Sequence, residues 1–270
     1  MPPVTDVLRR VPRRTLARYA AVAAVAFAVG SIQVPRLMQR RFSSEPVTDH
    51  YDLEWGEGKG IRFAAAGSTT VEVTTGPALG AATALLDMSK AVVPVLLLRR
   101  VYPGRHYDMV WATASAIGQM LPPQHRFKGG RAESILTGTA LALDPLSVPL
   151  TVVISQGIGI LVLRNPLLAA HSWTGILTLY FAARRQWDLA AWTLVVNLVR
   201  YAASIEEARQ IGRYHRAGEF ETRAFHEAFE ANHIGYIHKW LRERRLIHYD
   251  YMDEEPIAIV GSEGAPATDR

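Results

Sequence analysis

The chain has 270 residues, of which 49% are hydrophobic and 20% are charged, and its formal net charge is +5 at pH 7. It contains no cysteine, which excludes disulfides, thiolate metal sites and cysteine nucleophiles. The positive charge fits nucleic acid, anionic lipid or a phosphorylated small molecule equally well, so the positions of the charges have to decide between them.

The apolar residues form long blocks with the charges between them, which is typical of a multi-span membrane protein. A basic stretch at residues 9–18 leads into the first block, which ends near residue 34 and is interpreted as a retained first span. Further blocks follow at residues 77–98, 107–121, 134–143, 146–163, 166–183 and 187–203. Several are shorter than the roughly 20 residues of a straight span, so tilted and partly broken helices are expected.

The predicted fold class is therefore all-α, a polytopic membrane bundle of about seven short helices with a charged helical C-terminal tail. Residues 1–212 are predicted to form the membrane domain and residues 213–270 the tail, with a disordered end after residue 261. Lysine and arginine are almost balanced between the two sets of loops. The basic tail favours a multi-pass protein of the cell inner (plasma) membrane with its C-terminus in the cytosol.

The tail does not indicate a metal site or a nucleic-acid reader. Its histidines do not repeat at the spacing of metal ligands; they are His226, His233, His238 and His248. Its basic residues are interleaved with glutamates, whereas a nucleic-acid reader has a continuous basic surface. The chain also has no nucleophile elbow, Walker loop or complete dinucleotide fingerprint.

The clearest candidate for anion binding is a basic, glycine-containing stretch at residues 126–131, immediately before an apolar block. Gly129 and Gly130 allow the backbone to approach a ligand, and their N–H groups and the following helix N-terminus attract anions. Lys128 and Arg131 add full positive charge. The alternative interpretation is a basic loop that holds the membrane interface through lipid headgroups.

Two further polar features lie next to or inside apolar blocks. Arg62, Gly67 and Ser68 offer a cation, a hydroxyl and flexible backbone ahead of a span, a pattern that fits either an anion pocket or an ordinary turn. Asp87 and Lys90 are three residues apart and share one helical face inside an apolar block. They are expected either to form an internal ion pair that orients helices or to line a polar cavity.

These motifs, in this order, resemble the bacterial acyl-phosphate:glycerol-3-phosphate acyltransferases, the PlsY-type membrane enzymes, from the first span to about residue 212. Gly30-Ser31-Ile32 is similar to the family's Gly-Ser-Ile, and Gly67-Ser68 stands where the family has Gly-Ser-Gly-Asn. Asp87 and Lys90, with the later Pro94, resemble the family's Asp-x-x-Lys-Gly and its later proline.

The most specific part of the resemblance is a pair of neighbouring motifs. Residues 118–122 read Gly-Gln-Met-Leu-Pro, similar to the family's Gly-His-x-x-Pro. Residues 127–132 read Phe-Lys-Gly-Gly-Arg-Ala, similar to Phe-Lys-Gly-Gly-Lys-Gly. The sequence departs from the family at Gln119, where the family has histidine, and at residues 201–205, where Tyr-Ala-Ala-Ser-Ile replaces His-x-x-Asn-Ile.

The resemblance implies transfer of an acyl group from an acyl phosphate to glycerol 3-phosphate, or a related phosphorylated acceptor, without a metal or other cofactor. It implies a substrate-binding set of Arg62, Gly67, Lys128, Gly129, Gly130 and Arg131. Ser68 is the expected catalytic hydroxyl. Glu133 is the candidate general base, with a favourable charge at a helix N-terminus, worth about 0.3–1 kcal/mol, as the alternative.

Three functions remain open from the sequence. The first is this acyltransferase, with an acyl phosphate, a phosphorylated acceptor and membrane lipid as partners and no nucleic acid. The second is a catalytically inactive lipid- or anion-binding scaffold of the same fold, whose tail docks a protein partner. The third is a small-solute transporter that uses the intramembrane Asp87 and Lys90, although the inverted repeats that would favour it are not evident.

Overall fold

The computed structural model describes residues 12–44, 46–54, 59–63, 65–162, 171–219, 236–244 and 246. Within these ranges the chain forms the helices α1 (Arg13–Ser31), α2 (Val34–Phe42), α3 (Ser68–Thr75), α4 (Pro77–Val101), α5 (Tyr107–Met120), α6 (Glu133–Leu143), α7 (Ser147–Gly157), α8 (Trp173–Ala183), α9 (Trp187–Ala203), α10 (Ile205–Ala217) and α11 (Tyr236–Glu243). A π-helical turn, Ile158–Val162, continues α7. The strands β1 (Tyr51–Glu54) and β2 (Gly60–Phe63) pair as an antiparallel hairpin.

Within the described residues the apolar blocks of the sequence become helices, and the prediction of a mostly helical protein is confirmed. Residues 163–170, which belong in part to two of the predicted blocks, lie outside the described residues. The longest helix, α4, starts with Pro77, whose missing N–H costs nothing in a first turn, and ends with Arg99 and Arg100 near its C-terminal carbonyls. The predicted disordered end after residue 261 lies outside the described residues, as do His226, His233 and His248.

Among the described residues, two helical stretches are long and apolar enough to cross a membrane. They are Arg13–Phe42, which comprises α1 and α2 and has a mean hydropathy of 1.6, and Pro77–Val101, with a mean hydropathy of 1.7. The shorter helices α6 and α8 are also apolar. Large hydrophobic side chains point outward around the bundle, including Leu85, Val93, Leu97, Val153, Leu179 and Leu198. So much exposed apolar surface fits a lipid environment rather than water.

The segment between α1 and α4 contains short elements rather than a membrane span. It contains α2, the hairpin and α3, none of which carries a long apolar pattern. Residues 68–75 form a short helix, in which the Thr74 hydroxyl donates to the Thr70 carbonyl at 2.8 Å and the Thr75 hydroxyl to the Val71 carbonyl at 2.5 Å. The Thr70 hydroxyl donates to the Ala65 carbonyl, just before the helix, at 2.6 Å. Gly76, with φ of 106°, ends α3 and allows the sharp turn into α4.

Small residues let α1 and α5 pack with their backbones close together. A Cβ on Gly30 would overlap the Ser115 carbonyl, and a Cβ on Gly118 would overlap the Phe27 carbonyl. Membrane helices associate largely through such van der Waals contact, since lipid tails are as apolar as the side chains they replace. The core then continues from α5 to α4, α6, α8 and α9 through Ala91, Ala112, Leu136, Leu177 and Val196.

We expect Gly118→Ala to destabilise the protein by about 1–3 kcal/mol, because its methyl group would force α1 and α5 apart. Gly157→Ala is the matched control, since no atom lies within 4 Å of the added Cβ. Thermal unfolding of both variants in detergent micelles measures the difference. Equal melting temperatures would contradict the close packing of α1 on α5.

Candidate active site

A cavity of about 390 Å³ lies where the hairpin, α3, α6, α9 and α10 meet. Asp87 of α4 and Gln119 of α5 also line it, so residues from most of the chain converge there. Phe63, Ile135 and Ile211 contribute apolar lining, and five charged side chains also line the cavity: Asp87, Arg131, Glu133, Arg200 and Glu207. The cavity therefore combines apolar walls with a few charged groups, the combination found in small-molecule sites.

Two helix N-termini face this cavity. Gly67, Ser68 and Thr69 line it at the start of α3, and Ala132 and Glu133 line it at the start of α6. The first N–H groups of a helix have no partner within the helix and carry partial positive charge. Both predicted anion-binding segments thus bring a helix N-terminus to one cavity.

The two segments also touch each other directly. The Ala66 N–H donates to the Gly129 carbonyl at 3.4 Å, and the Gly130 N–H donates to the Gln119 carbonyl at 3.1 Å. A Cβ on Gly129 would overlap the Gln119 carbonyl, and one on Gly130 would come within 2.8 Å of the Ala66 carbonyl. The paired glycines therefore let the loop pack against the chain's own backbone. Gly130 lines the cavity, whereas Gly129 packs behind it.

Contacts with α9 and α10 fix the position of the Arg131 side chain. Its Nη2 forms an ion pair with Glu207 of α10, and its Nη1 donates to the Ala203 carbonyl at 2.7 Å. Glu207 is buried, so the pair is largely shielded from water. The α10 helix is anchored on the hairpin as well, because the Arg62 N–H donates to the Gln210 side chain at 3.0 Å.

A second arginine also lines the cavity and was not predicted. Arg200 of α9 is buried, its Nη2 forms an ion pair with Glu133, and its Nη1 donates to the Thr174 hydroxyl at 3.1 Å. The Nδ1 atom of His171 lies 3.6 Å from the Glu133 Oε1 and 3.5 Å from the Arg200 Nη2. Glu133, His171 and Arg200 thus form one polar cluster on the cavity surface.

The ion pair predicted inside α4 forms, and it also reaches the cavity. Lys90 Nζ lies 2.9 Å from Asp87 Oδ1, and it donates to the Gln119 Oε1 at 2.6 Å. The Gln119 Nε2 donates to the Asp87 Oδ2 at 3.1 Å. An amide has both a donor and an acceptor, so Gln119 bridges the acid and the base where the family has a histidine.

Two cations of the predicted binding set lie outside the cavity. The Arg62 side chain is 60% exposed and binds Asp52 through two hydrogen bonds of 2.8 and 3.0 Å, which lower the pKa of the Asp52 carboxyl. The Lys128 side chain is exposed, and its carbonyl accepts a hydrogen bond from Arg36 at 3.2 Å. The cavity therefore contains Gly67, Ser68, Gly130, Arg131 and Glu133 from the sequence-predicted set.

Two of the cavity residues that were not predicted from the sequence carried a usable signal. Arg200 and His171 each lie inside an apolar block, and an ionisable residue in such a block is expensive unless it lines a cavity or meets a partner. Glu207 and Tyr51 gave no such signal, since they lie in polar stretches. Burial and the nearby Glu133 raise the pKa of Tyr51, so its hydroxyl is a neutral hydrogen-bond donor on the cavity wall.

Comparison with known proteins decides the family. A family model described as "Glycerol-3-phosphate acyltransferase" matches residues 20–211. The chain belongs to this family. The sequence-based resemblance to the PlsY-type enzymes, and its extent, are thereby confirmed.

Individual relatives match at lower coverage. The glycerol-3-phosphate acyltransferase of Anaeromyxobacter sp. (strain K) is 36% identical over 83 residues, which are 29% of this chain and 41% of that protein. The one from Pelagibacter ubique (strain HTCC1062) is 24% identical over 183 residues, which are 68% of this chain and 88% of that protein. The alignment thus spans about two fifths of the length of the first of these relatives.

Two solved structures of PlsY (YgiH), an integral membrane glycerol 3-phosphate acyltransferase, share the fold. The lysophosphatidic acid form superposes with a TM-score of 0.56 at 17% identity and covers 77% of this chain and 98% of PlsY. The glycerol 3-phosphate form superposes with a TM-score of 0.57 at 17% identity and covers 76% of this chain and 94% of PlsY. The predicted membrane-bundle fold is confirmed. The division of the chain at residue 212 stays a prediction, and this position lies inside α10.

We expect Gly129→Ala to destabilise the protein by about 1–3 kcal/mol, because the new methyl group would overlap the Gln119 carbonyl. Gly67→Ala should leave the melting temperature unchanged, since its Cβ would meet no atom within 4 Å and its φ of −128° suits alanine. Thermal unfolding of the two variants measures the difference in stability. It tests whether Gly129 is needed for close backbone packing. A stable Gly129→Ala variant would contradict the packing role.

Removing one member of the Arg131–Glu207 pair should cost about 3 kcal/mol, because it breaks an ion pair that is largely shielded from water. The double variant Arg131→Gln/Glu207→Gln should lose less than the sum of the two single changes. Unfolding of the four proteins in a double-mutant cycle measures the coupling. Arg213→Gln, which breaks an exposed pair with Glu206 on the same helix, is the control and should change stability by less than about 1 kcal/mol.

Proposed function

We propose that this protein transfers an acyl group from an acyl phosphate to the hydroxyl of glycerol 3-phosphate in membrane phospholipid synthesis. The observation that carries the proposal is the cavity, in which two helix N-termini and the arginines Arg131 and Arg200 meet apolar walls. A reaction between two phosphate compounds, one with a lipid chain, needs these features in one place. Related phosphorylated acceptors would fit the same chemistry.

Phosphate binding would use the two arginines and the helix N-termini together. A phosphate presents several acceptor oxygens, and a guanidinium binds two of them in parallel. Glu207 and Glu133 bind these arginines, so a phosphate has to displace a carboxylate or share the arginine with it. The α6 N-terminus, between Arg131 and Glu133, adds unpaired N–H groups to the same site.

Ser68 is proposed as the hydroxyl that stabilises the reacting oxygen atoms. It is the first residue of α3 and lines the cavity, so its hydroxyl and the helix N–H groups point to one region. Donors already fixed in place stabilise the charge that develops on the acyl oxygen during transfer. Glu133 is proposed to hold Arg200 and His171 rather than to take a proton itself, because Arg200 donates to its carboxylate.

The remaining partners follow from the surroundings of the cavity. Phe63, Ile135 and Ile211 offer apolar contacts for the first part of the acyl chain. The exposed apolar faces of α4 and α8 would contact membrane lipid, with the inner membrane as the proposed location and the cytosol as the side of the C-terminus. The proposed reaction involves no nucleic acid. Binding of a protein partner by the C-terminal tail is a separate proposal, which the acyl transfer does not require.

The test is an assay of the purified full chain with an acyl phosphate and glycerol 3-phosphate, following lysophosphatidic acid and inorganic phosphate. We expect product with the wild-type chain, and a loss of roughly 10- to 100-fold in kcat/KM for Arg200→Gln and Ser68→Ala, because each removes a hydrogen bond to charged oxygen. Arg62→Ala and Lys128→Ala test the two predicted cations outside the cavity and should lose less.

Arg213→Gln is the control, because this arginine lies on the exposed side of α10 and does not line the cavity. Melting temperatures of all variants separate lost activity from lost folding. A wild-type chain that forms no lysophosphatidic acid while it remains folded would refute the acyltransferase.

A second function, an inactive lipid- or anion-binding scaffold, is favoured by one observation. Both cavity arginines are paired with carboxylates, and Gln119 replaces the family's histidine in the network with Asp87 and Lys90. This function predicts that glycerol 3-phosphate or lysophosphatidic acid binds, in isothermal titration calorimetry, to a protein without transfer activity. Activity in the assay above would rule it out.

A further inference from the structure

We propose that the hydroxyl of Tyr51 donates a hydrogen bond to a substrate phosphate, an inference that rests on the proposed function for the identity of the substrates. Tyr51 belongs to β1 and lines the cavity. It adds the hairpin to a binding set that otherwise comes from α3, α9 and the loop before α6. The phosphate is that of glycerol 3-phosphate or that of the acyl phosphate, and steady-state kinetics separate the two.

The alternation of side chains along the hairpin turns the Tyr51 ring toward the cavity. Tyr51 pairs with Phe63 in the antiparallel register, and the two rings stack with their centroids 5.0 Å apart and an interplanar angle of 11°. Both side chains line the cavity. Asp52 and Arg62, the next pair, point to the opposite face, where they form an exposed ion pair. The hairpin thus has an aromatic face on the cavity and a charged face away from it.

Contacts with α10 hold the hairpin in this position. The Arg62 N–H donates to the Gln210 side chain at 3.0 Å, and the Gly60 N–H donates to the Tyr214 hydroxyl at 3.4 Å. The same helix carries Glu207 of the cavity wall. The aromatic face of the hairpin is therefore fixed against the cavity before a substrate binds, which lowers the entropy that binding has to overcome.

The charges around the Tyr51 hydroxyl are those of the two cavity ion pairs. Burial, and after it the charge of Glu133, raise the pKa of Tyr51, while the charges of Arg131 and Glu207 act on it in opposite directions. These three side chains belong to the pairs that bind the two cavity arginines. The hydroxyl is therefore close to the proposed phosphate ligands, and it keeps its proton at neutral pH.

The Tyr51 hydroxyl is available without breaking a bond inside the protein. No hydrogen-bond partner for it is found in the part of the chain that the structure describes. Arg131 and Arg200, in contrast, are both engaged with carboxylates. A phosphate can accept from the hydroxyl directly, whereas each arginine has to be shared with its carboxylate or taken from it. A neutral donor also adds no charge to a cavity whose arginines are already balanced.

A phosphate monoester has enough acceptors for all of these groups. It presents three terminal oxygen atoms, and a guanidinium such as that of Arg131 takes two of them in parallel. The third oxygen then remains for a neutral donor. The Phe63 ring, which stacks on Tyr51 and also lines the cavity, gives the carbon atoms next to that phosphate an apolar surface.

The experiment compares wild type with Tyr51→Phe in the transfer assay, with each substrate varied in turn. Phenylalanine removes only the hydroxyl and keeps the ring that stacks on Phe63. We expect the KM for one substrate to rise about tenfold while kcat stays within about twofold, because the lost bond holds that phosphate both before and during transfer. A higher KM for glycerol 3-phosphate assigns the acceptor's phosphate, and a higher KM for the acyl phosphate assigns the other.

Tyr102→Phe is the matched control, because it removes the same hydroxyl far from the cavity. Tyr102 is half exposed and follows the last residue of α4, about 22 Å along the helix from Asp87 on the cavity wall. This variant should keep both wild-type KM values. Both variants should keep the wild-type melting temperature, which separates a lost hydroxyl from a lost fold.

Isothermal titration calorimetry of the full chain supplies a measurement that does not depend on turnover. The probes are glycerol 3-phosphate and inorganic phosphate, and at least one should bind Tyr51→Phe about tenfold more weakly than it binds wild type and Tyr102→Phe. If wild type is active and Tyr51→Phe matches it in both KM values and both Kd values, the inference is overturned while the acyltransferase stands. A fall in kcat alone also overturns it.

The remaining outcomes distinguish this inference from the proposed function. If the folded wild-type chain transfers no acyl group but binds either probe more tightly than Tyr51→Phe does, the acyltransferase fails and the phosphate contact of Tyr51 stands. If the wild-type chain neither transfers an acyl group nor binds either probe, both fail.

Discussion

The buried charge of Lys90 is the constraint on which the arrangement of the bundle depends. A lysine in an apolar helix costs roughly 2.5–3.5 kcal/mol at the centre of a bilayer unless it finds partners. Here its Nζ contacts Asp87 and Gln119 and donates to the carbonyls of Gly30 and Ile32 at the end of α1, at 3.3 and 2.7 Å. One side chain thus ties α4 to α1 and α5, and it satisfies carbonyls that a helix C-terminus leaves open.

The same network positions the floor of the cavity. Gln119 accepts from Lys90 through its side chain and from the Gly130 N–H through its backbone carbonyl, and it donates to Asp87. Gln119 therefore holds the loop at Gly130 in place and also satisfies the ion pair between Asp87 and Lys90. A histidine can also offer one donor and one acceptor, which explains why glutamine is a structurally tolerable replacement at this position of the family pattern.

Carboxylates balance the charges of the two cavity arginines. Arg131 and Arg200 are each paired with a carboxylate, from α10 and α6 respectively. Unpaired arginines in a partly buried site would be costly, and these pairs keep both guanidinium groups fixed near the helix N-termini. An anionic substrate would then exchange one acceptor for another without moving the arginines, so that the site is organised before binding.

The sequence by itself determined the helical membrane bundle, the family and the segments that meet at the cavity, because apolar blocks, Ser68 and the stretch at residues 127–131 are local signals. It did not determine which charges face the cavity. Arg62 and Lys128 are cations in the right segments, yet their side chains point elsewhere, whereas His171, Arg200 and Glu207 arrive from helices distant in sequence. Side-chain direction and long-range ion pairs depend on how the helices pack, and periodicity along one segment does not contain that information.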